Sequence, residues 1–216
     1  ATDISQCLVR GAGLAFDESE LPFADASLDA FASVLTLHAI NDLPGALAQI
    51  RRALRPDGFF IAALFGSRTL QELRFALTAA ESEILGGVSP RVAPLLDIRD
   101  AGALLQRAGF TLPVADTDEI TVHYASPLRL FSDLRLMGET NVMTERQRRF
   151  LRRDVLARAL EIYGRESADG EGRMRATFEI MYLAGWSPHE SQQKPLRPGS
   201  AQVNLADVLK ARQEEN

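Results

Sequence analysis

The sequence predicts an α/β protein with an open, mostly parallel sheet, and three observations support this. Two nearly continuous apolar runs, SLDAFASVLTL and FFIAALF, are typical of strands that are buried on both faces of a sheet. Residues 44–54 lie between these runs and carry apolar side chains at helical spacing. The connections are short, which favours a strand–helix–strand unit with a right-handed crossover.

The first half of the chain supplies the elements of this unit. Residues 14–16 are predicted to form a short strand that runs into the acidic loop of FDESELPF. Asn41 or Asp42 can cap the helix of residues 44–54. The RPDG stretch after the helix predicts a tight turn in which Gly58 takes a positive φ. The buried stripe of the helix is predicted to comprise Leu47, Ile50 and Leu54.

The second half is predicted to be more helical. Gly109 follows one of its helices at the position where a positive φ commonly ends a helix. Predicted helices span residues 69–85, 98–108, 128–137 and 144–163, and predicted strands span residues 111–124 and 174–186. We therefore predict one domain over residues 1–186, with a helical insertion at 127–165 before its last strand, and a C-terminal extension over 187–216.

The composition argues against several classes of protein. A net charge of −5 does not suit a nucleic-acid-binding protein, and the single Cys7 cannot form an internal disulfide. His38, His123 and His189 are widely separated, and no paired Cys/His spacing predicts a metal site. The longest apolar run, residues 59–66, is too short to span a bilayer. The sequence thus predicts no nucleic-acid partner, no metal and no transmembrane segment.

Acidic side chains are predicted at the carboxyl ends of neighbouring strands. In an open parallel sheet, ligands bind at these ends, near the point where the strand order reverses. Asp3 lies where a strand is predicted to end, and Asp17 with Glu18 follows the strand of residues 14–16. One such carboxylate can accept hydrogen bonds from both ribose hydroxyls of a nucleoside, and the next can accept one from the amino group of a base. The alternative is that both aspartates are turn or cap residues.

Several stretches of the first half, taken together, resemble a known family. ATDIS, FDESELPF, SLDAF, LHAINDLPGAL and LRPDGFF, in this order, are similar to class I S-adenosylmethionine-dependent methyltransferases. The resemblance implies a doubly wound, Rossmann-like sheet whose last strand is antiparallel. It starts at the end of the second strand of that fold, so we expect the first strand and its Gly-rich loop to be missing, by truncation rather than by degeneration. The GAG at residues 11–13 is too short to be that loop.

The second half narrows the resemblance. RAGF, VADTDEITVHY, MGETN and AGWSPHES resemble the methyltransferase-like family of respiratory complex I assembly factors, which is regarded as an arginine hydroxylase family. MGETN and GWSPHES are the most specific of these stretches. Ala39 departs from the family, in which Trp is usual beside His38. Alanine has no aromatic ring, so a stacking role for residue 39 is not supported.

Both resemblances imply S-adenosylmethionine as the cofactor. Asp3 would bind the ribose hydroxyls, Asp17 would bind the adenine amino group, and Glu18 would line the adenine pocket. Backbone groups of residues 33–35 would border the methionine end. The implied cofactor-binding residues are Asp3, Ile4, Asp17, Glu18, Ser33 and Leu35.

His38 is the candidate catalytic residue that the resemblance implies, because it follows a central strand and would face the reaction centre as a base or as an orienting group. The alternative is a histidine that caps or packs against the next helix. The helical insertion at 127–165 is expected to be a lid over the substrate.

The arginine-rich stretch TERQRRFLRRDVLARAL allows two interpretations. The first is a solvated amphipathic helix whose apolar side chains face inward, and the second is a basic surface for a partner. The apolar side chains expected to face inward are Phe150, Leu151, Val155 and Leu156.

The predicted function is an S-adenosylmethionine-dependent methyltransferase that acts on a small molecule or a protein. Methyl transfer depends mainly on positioning a nucleophile, so the sequence names no obligatory catalytic side chain. The alternatives are an arginine hydroxylase acting on a complex I subunit, or a non-catalytic assembly factor for complex I. The expected location is the bacterial cytoplasm, or the mitochondrial matrix if the protein is eukaryotic.

Overall fold

The computed structural model describes residues 20–144, 146–147 and 149–193, and within them it contains four strands and five α-helices. A short 3₁₀ helix, Leu37–Ala39, follows the first strand. The predicted strand of residues 14–16 lies outside the described residues. In chain order the elements are β1 (Leu28–Val34), α1 (Leu43–Ala53), β2 (Leu54–Phe65), α2 (Gln71–Leu85), α3 (Ile98–Arg107), β3 (Thr111–Tyr124), α4 (Pro127–Leu136), α5 (Arg153–Ser167) and β4 (Met174–Trp186).

The sheet has the strand order β1-β2-β4-β3. β1 and β2 are parallel, whereas β4 inserts between β2 and β3 and is antiparallel to both. The last strand is therefore antiparallel, as the resemblance implies, and α4 and α5 form the predicted helical insertion before it. Because β1 and β2 are parallel, their carboxyl ends meet at one edge of the sheet.

Two apolar cores hold the helices against this sheet. The first lies under α1 and α3, where the predicted buried stripe of α1 is confirmed. The second lies between α2, α4, α5 and the first half of β4. Members of the first core include Leu47, Ile50, Leu54, Phe60, Leu105 and Leu183, and members of the second include Leu73, Ala80, Leu130, Val155, Ile162 and Phe178.

β1 is less buried than its apolar sequence predicts. Ser33 is buried, but Val34 is 70% exposed. Among the described residues, β1 pairs with β2 alone, so one of its edges has no described neighbour. An apolar run fits a doubly covered strand, but the cover is supplied by other parts of a fold and is not specified by the run itself.

The RPDG stretch forms a bulge in β2 instead of a separate turn. The register between β1 and β2 shifts between Leu54 and Phe59, and Asp57, not Gly58, takes the positive φ of 64°. A Cβ at Gly58 would lie 2.8 Å from the carbonyl oxygen of Arg55. The glycine is therefore required for close backbone approach, and the prediction that it supplies the positive φ is wrong.

The helix predicted from residue 144 begins at Arg153 instead. Val155 is fully buried as predicted, but Phe150 is fully exposed, so its predicted inward orientation is wrong. The helix therefore starts later than the apolar spacing of the sequence predicts, and polar contacts from Arg91, described below, reach the segment that precedes it. Across the described ranges, no helix combines the length and apolar character that crossing a bilayer requires.

Replacing Leu130 with alanine should lower the free energy of unfolding by about 2–5 kcal/mol, because Leu130 is fully buried in the second core and its loss leaves a cavity. Leu136, on the same helix, is 83% exposed, so Leu136→Ala should change the free energy by less than about 0.5 kcal/mol. Urea unfolding followed by circular dichroism measures both. Equal effects of the two variants would contradict this packing of α4.

Candidate active site at the carboxyl edge of the sheet

A cavity of about 260 Å³ opens at the carboxyl ends of β1 and β2. His38 follows β1, Phe65 ends β2, and Thr69 lies just beyond it. α2, α4 and the segment 138–142 complete the walls. The apolar part of the lining includes Phe65, Leu73, Leu77, Phe131, Leu134 and Phe178. The position fits the rule that open α/β sheets bind ligands beyond the carboxyl ends of their strands.

His38 contacts Glu139 across this cavity. The Nε2 atom of His38 lies 3.2 Å and 3.1 Å from the two carboxylate oxygens of Glu139. The His38 side chain is 6% exposed and the Glu139 side chain 26%. The imidazole packs edge-on against Phe65 at 4.8 Å between ring centroids. The Nδ1 atom of His38 is buried and has no hydrogen-bond partner among the described residues.

The end of α4 places Glu139 at this position. Gly138 has a φ of 83°, which turns the chain sharply after Met137. The amide of Glu139 donates to the carbonyl oxygen of Leu134 at 2.9 Å and closes the last turn. A Cβ on Gly138 would meet nothing within 4 Å, so the glycine is required for its backbone conformation and not for space.

Four hydrogen bonds hold the segment that follows. Asn141 donates through Nδ2 to the carbonyl oxygens of Pro90 at 2.9 Å and Arg91 at 3.1 Å. Its Oδ1 accepts from the amide of Met143 at 3.1 Å, and Asn41 accepts from the amide of Thr144 at 3.3 Å. The stretches LHAIN, residues 37–41, and MGETN, residues 137–141, therefore meet at one wall of the cavity.

A buried ion pair supports the adjoining part of the lining, which includes Arg91. Glu81 on α2 is 1% exposed and accepts from Arg91 Nε at 2.7 Å and from the amide and hydroxyl of Ser89. Burial by itself raises the pKa of Glu81, but the hydrogen bonds from Arg91 and Ser89 leave that pKa below its ordinary value. Arg91 also donates to Gln147 Oε1 and, at 3.4 Å, to the carbonyl oxygen of Arg149. Arg91 therefore ties the segment before α5 to α2.

Ser33 and Leu35 lie at the carboxyl end of β1, but they do not line the cavity of His38. Ser33 lines a neighbouring cavity of about 220 Å³, where its hydroxyl lies 2.8 Å from that of Thr36. Leu35 has a φ of 53°, and its amide donates to the carbonyl oxygen of Ala63 at 2.7 Å. The predicted sites therefore share one edge of the sheet and separate into two cavities.

The other predicted cofactor residues lie outside the described residues. Their roles therefore remain predictions; they are Asp3, Ile4, Asp17 and Glu18. Within the described ranges, no group of three or more His, Cys, Asp or Glu side chains could hold a metal ion.

Glu139, Asn141, Glu81 and Arg91 are functional candidates that sequence reasoning did not name. The MGETN stretch, residues 137–141, is specific for the family that the sequence resembles. This indicates the segment that carries Glu139 and Asn141, but it assigns no role to either residue. Nothing in the sequence indicated that Glu139 lies beside His38.

The strand order and the position of the cavity define a class I methyltransferase fold. The YcgJ protein of Bacillus subtilis aligns with a TM-score of 0.52 at 13% identity, over 80% of this chain and 69% of its own. A Bacillus halodurans protein assigned as a methyltransferase aligns with a TM-score of 0.50 at 15% identity, over 81% of this chain and 76% of its own. At these identities the likeness shows the fold alone. Residues 3–62 also match the sequence model of a methyltransferase domain.

The sequence is also similar to proteins of assigned activity over most of its length. The chain is 45% identical to the mitochondrial arginine hydroxylase NDUFAF5 of Danio rerio and 44% identical to that of Homo sapiens, each over 194 residues and 90% of this chain. It is 32% identical to the malonyl-acyl-carrier-protein O-methyltransferase of Halorhodospira halophila over 91% of this chain. The aligned parts make up 60%, 56% and 64% of these relatives, so the chain spans less than two thirds of their length. The resemblance to class I methyltransferases and to the arginine hydroxylase family is thus confirmed.

The buried carboxylate of Glu81 should make the protein less stable in acid. Because the folded pKa of Glu81 is lowered, its contribution to the free energy of unfolding is present above the ordinary pKa of 4.5 and is lost as the pH falls through the folded pKa. Glu81→Gln should cost about 1.5–3 kcal/mol at neutral pH, because it weakens charged hydrogen bonds in a buried site. It should also flatten the fall in stability below pH 4.5.

Urea unfolding at a series of pH values measures this dependence. Glu190→Gln is the control, because Glu190 is exposed and should leave the pH profile unchanged. An unaltered acid profile in Glu81→Gln would show that other groups cause the acid sensitivity.

Proposed function

We propose that this protein is an S-adenosylmethionine-dependent methyltransferase that acts on a small molecule or on a protein side chain. The observation that carries the proposal is a small, mainly apolar cavity beside His38 and Glu139, at the carboxyl edge of a class I methyltransferase sheet. The match of residues 3–62 to a methyltransferase domain supports the same assignment.

The described part of the neighbouring cavity is lined by uncharged side chains. Its polar groups are the hydroxyls of Ser33 and Thr36, and its floor is formed by Phe31, Leu37 and Ile50. The cofactor supplies an electrophilic methyl group on a sulfonium. We propose that Asp3, with Ile4 beside it, binds the ribose, that Asp17 and Glu18 bind the adenine, and that residues 33–35 border the methionine end.

The residues of the His38 cavity would position the substrate and exclude water. Phe65, Phe131 and Phe178 give it apolar walls, and the size of the cavity suits one side chain or a comparably small group. Within the predicted lid of residues 127–165, we propose that the segment 138–144 is the part that covers the substrate, because it lines the cavity and is held by side-chain contacts to Asn41 and His38. α5 is fixed in the second core and would move least.

A second candidate is arginine hydroxylation of a protein. The identity of 43–45% to arginine hydroxylases, against 32–34% to the O-methyltransferases, favours it. The partner would then be a protein, for which we propose a complex I subunit, in the bacterial cytoplasm or the mitochondrial matrix. A scaffold that retains the fold without catalysis is the third possibility, since a fold does not determine a reaction.

Cofactor binding is tested by calorimetric titration of the protein with S-adenosylhomocysteine. The unmodified protein should bind, and the double variant Asp3→Ala, Asp17→Ala should lose binding because the carboxylate acceptors for the ribose and the adenine are removed. Asp116→Ala, on β3 and exposed, is the matched control and should bind normally. Unchanged binding by the double variant would refute the assignment of the nucleoside site.

The reaction is tested by the mass of a complex I subunit after incubation with the protein and S-adenosylmethionine. A gain of one methylene shows methyl transfer, and a gain of one oxygen shows hydroxylation. A stable complex with no gain in mass would favour the scaffold. His38→Asn should reduce either product, because His38 lines the proposed substrate cavity.

A further inference from the structure

The sequence suggests that His38 accepts a proton, but its partner Glu139 is better suited to that role. We propose that Glu139 is the residue that meets the substrate, and that His38 is a positioning residue that holds the Glu139 carboxylate in place. The inference rests on the proposed function and deepens it, because it assigns the residue that receives the proton of the substrate nucleophile.

The hydrogen-bond pattern of His38 supports this order of roles. An ionised carboxylate can only accept, so Nε2 of His38 carries the proton that it donates to Glu139. Nδ1 is buried without a partner, and a buried N–H without an acceptor is costly. The neutral ring with its proton on Nε2 avoids that cost. His38 then has no free basic atom at the cavity surface, because Nε2 is occupied and Nδ1 is enclosed.

Glu139 has the complementary properties. Its side chain is 26% exposed and lines the cavity, whereas the His38 side chain is 6% exposed. A carboxylate has about four lone-pair sites, so a donor from His38 leaves acceptor capacity for a substrate. The Gly138 turn and the amide contact to Leu134 fix the backbone that carries it.

Three other polar side chains of the cavity wall, those of Arg91, Thr69 and Asn141, already make hydrogen bonds within the protein. Arg91 donates from all three of its guanidinium nitrogens to Glu81, Gln147 and the carbonyl oxygen of Arg149. The Thr69 hydroxyl is bonded to the backbone of Glu179, and both ends of the Asn141 amide are bonded to backbone groups. Arg91 can only donate, so among the described charged residues of the lining Glu139 is the one with free acceptor capacity toward the cavity.

This arrangement selects a class of substrate. The reacting group is a nitrogen or oxygen nucleophile that carries a proton and sits at the end of a largely apolar arm. Its N–H or O–H donates to Glu139. As the nucleophile bonds to the methyl group, the sulfur–methyl bond of the sulfonium would break and its electron pair would stay on sulfur, which leaves as the neutral thioether of S-adenosylhomocysteine. The proton of the nucleophile passes to the Glu139 carboxylate, and the electron pair of the broken N–H or O–H bond stays on the nucleophile. Glu139 then returns the proton to water. His38 keeps its proton throughout and prevents the carboxylate from rotating away.

The His38 assignment is tested by nitrogen NMR of the full protein labelled at its histidines, with His38→Asn identifying the resonance. The unmodified protein should show His38 as the neutral ring protonated on Nε2, and Glu139→Ala should alter that signal while the signals of His123 and His189 stay unchanged. A ring protonated on Nδ1 at neutral pH, alone or together with Nε2, would overturn the inference.

The roles are separated by kinetics on the product identified by mass. Glu139→Gln should lower kcat by about 10²- to 10⁴-fold, as expected for the loss of a general base, and leave the affinity for S-adenosylhomocysteine unchanged. His38→Asn should cost less, because asparagine can still donate a hydrogen bond to the carboxylate, and His38→Ala should cost more than His38→Asn. Glu171→Gln, which alters an exposed glutamate in the turn before β4, should match the unmodified enzyme.

An active Glu139→Gln together with an inactive His38→Asn would reverse the roles and refute the inference. Absence of product from the unmodified protein would refute the proposed function instead, and the nitrogen signals would still decide the His38 assignment.

Discussion

The antiparallel insertion of β4 between β2 and β3 is the interaction on which the rest of the structure depends. Its backbone completes two hydrogen-bonded ladders, to β2 and to β3. Its side chains alternate between the two faces of the sheet, so Met181 and Leu183 enter the first core while Ala176 and Phe178 enter the second. One strand therefore joins α1 and α3 on one face to α2 and α5 on the other. A register slip of one residue would exchange the two sets and disrupt both cores.

The cavity wall is held in a different way from the cores. Apolar burial fixes α2, α4 and α5, whereas the segment between α4 and α5 is held by polar contacts from Asn41, His38 and Arg91. Breaking a few such hydrogen bonds exposes little apolar surface, so this segment can open at lower cost than the helices that flank it. A cover of this kind suits a site that must admit a substrate and then exclude water.

The fold limits the reaction without determining it. The structure has two cavities near the carboxyl ends of β1 and β2, and the proposed function assigns one to the cofactor and the other to the substrate. Methyl transfer would require a positioned nucleophile in the His38 cavity, whereas hydroxylation would require a positioned side chain and an oxidant. The relatives of higher identity are arginine hydroxylases, and those of lower identity are O-methyltransferases. Both groups align with most of this chain, so the two candidate reactions differ in the chemistry inside the cavity.

The sequence by itself determined most of the local structure. Continuous apolar runs, alternation and helical spacing located β2, β3, β4 and α1 to α4, because these signals depend on near neighbours in the chain. It offered Asn41 or Asp42 as the cap of α1, and the carboxylate of Asp42 accepts from Gly45 at 2.9 Å. It also placed Gly109, which has a φ of 89°, after α3. It failed at residues 144–152, where helical spacing suggested a longer α5, because contacts with distant residues hold that segment in another conformation.

Only the tertiary structure decided the site. His38 and Glu139 are 101 residues apart, and their contact exists because β1, α4 and the sheet bring the two segments to one edge. Single-sequence patterns carry no information about such a pairing, since neither residue has a periodic or motif-based link to the other. The contact between Glu81 and Arg91 also depends on tertiary packing. Glutamate and arginine usually lie at the surface, and here burial gives the pair a structural role. The sequence determined which segments are helices and strands, and long-range packing decided which side chains share a cavity.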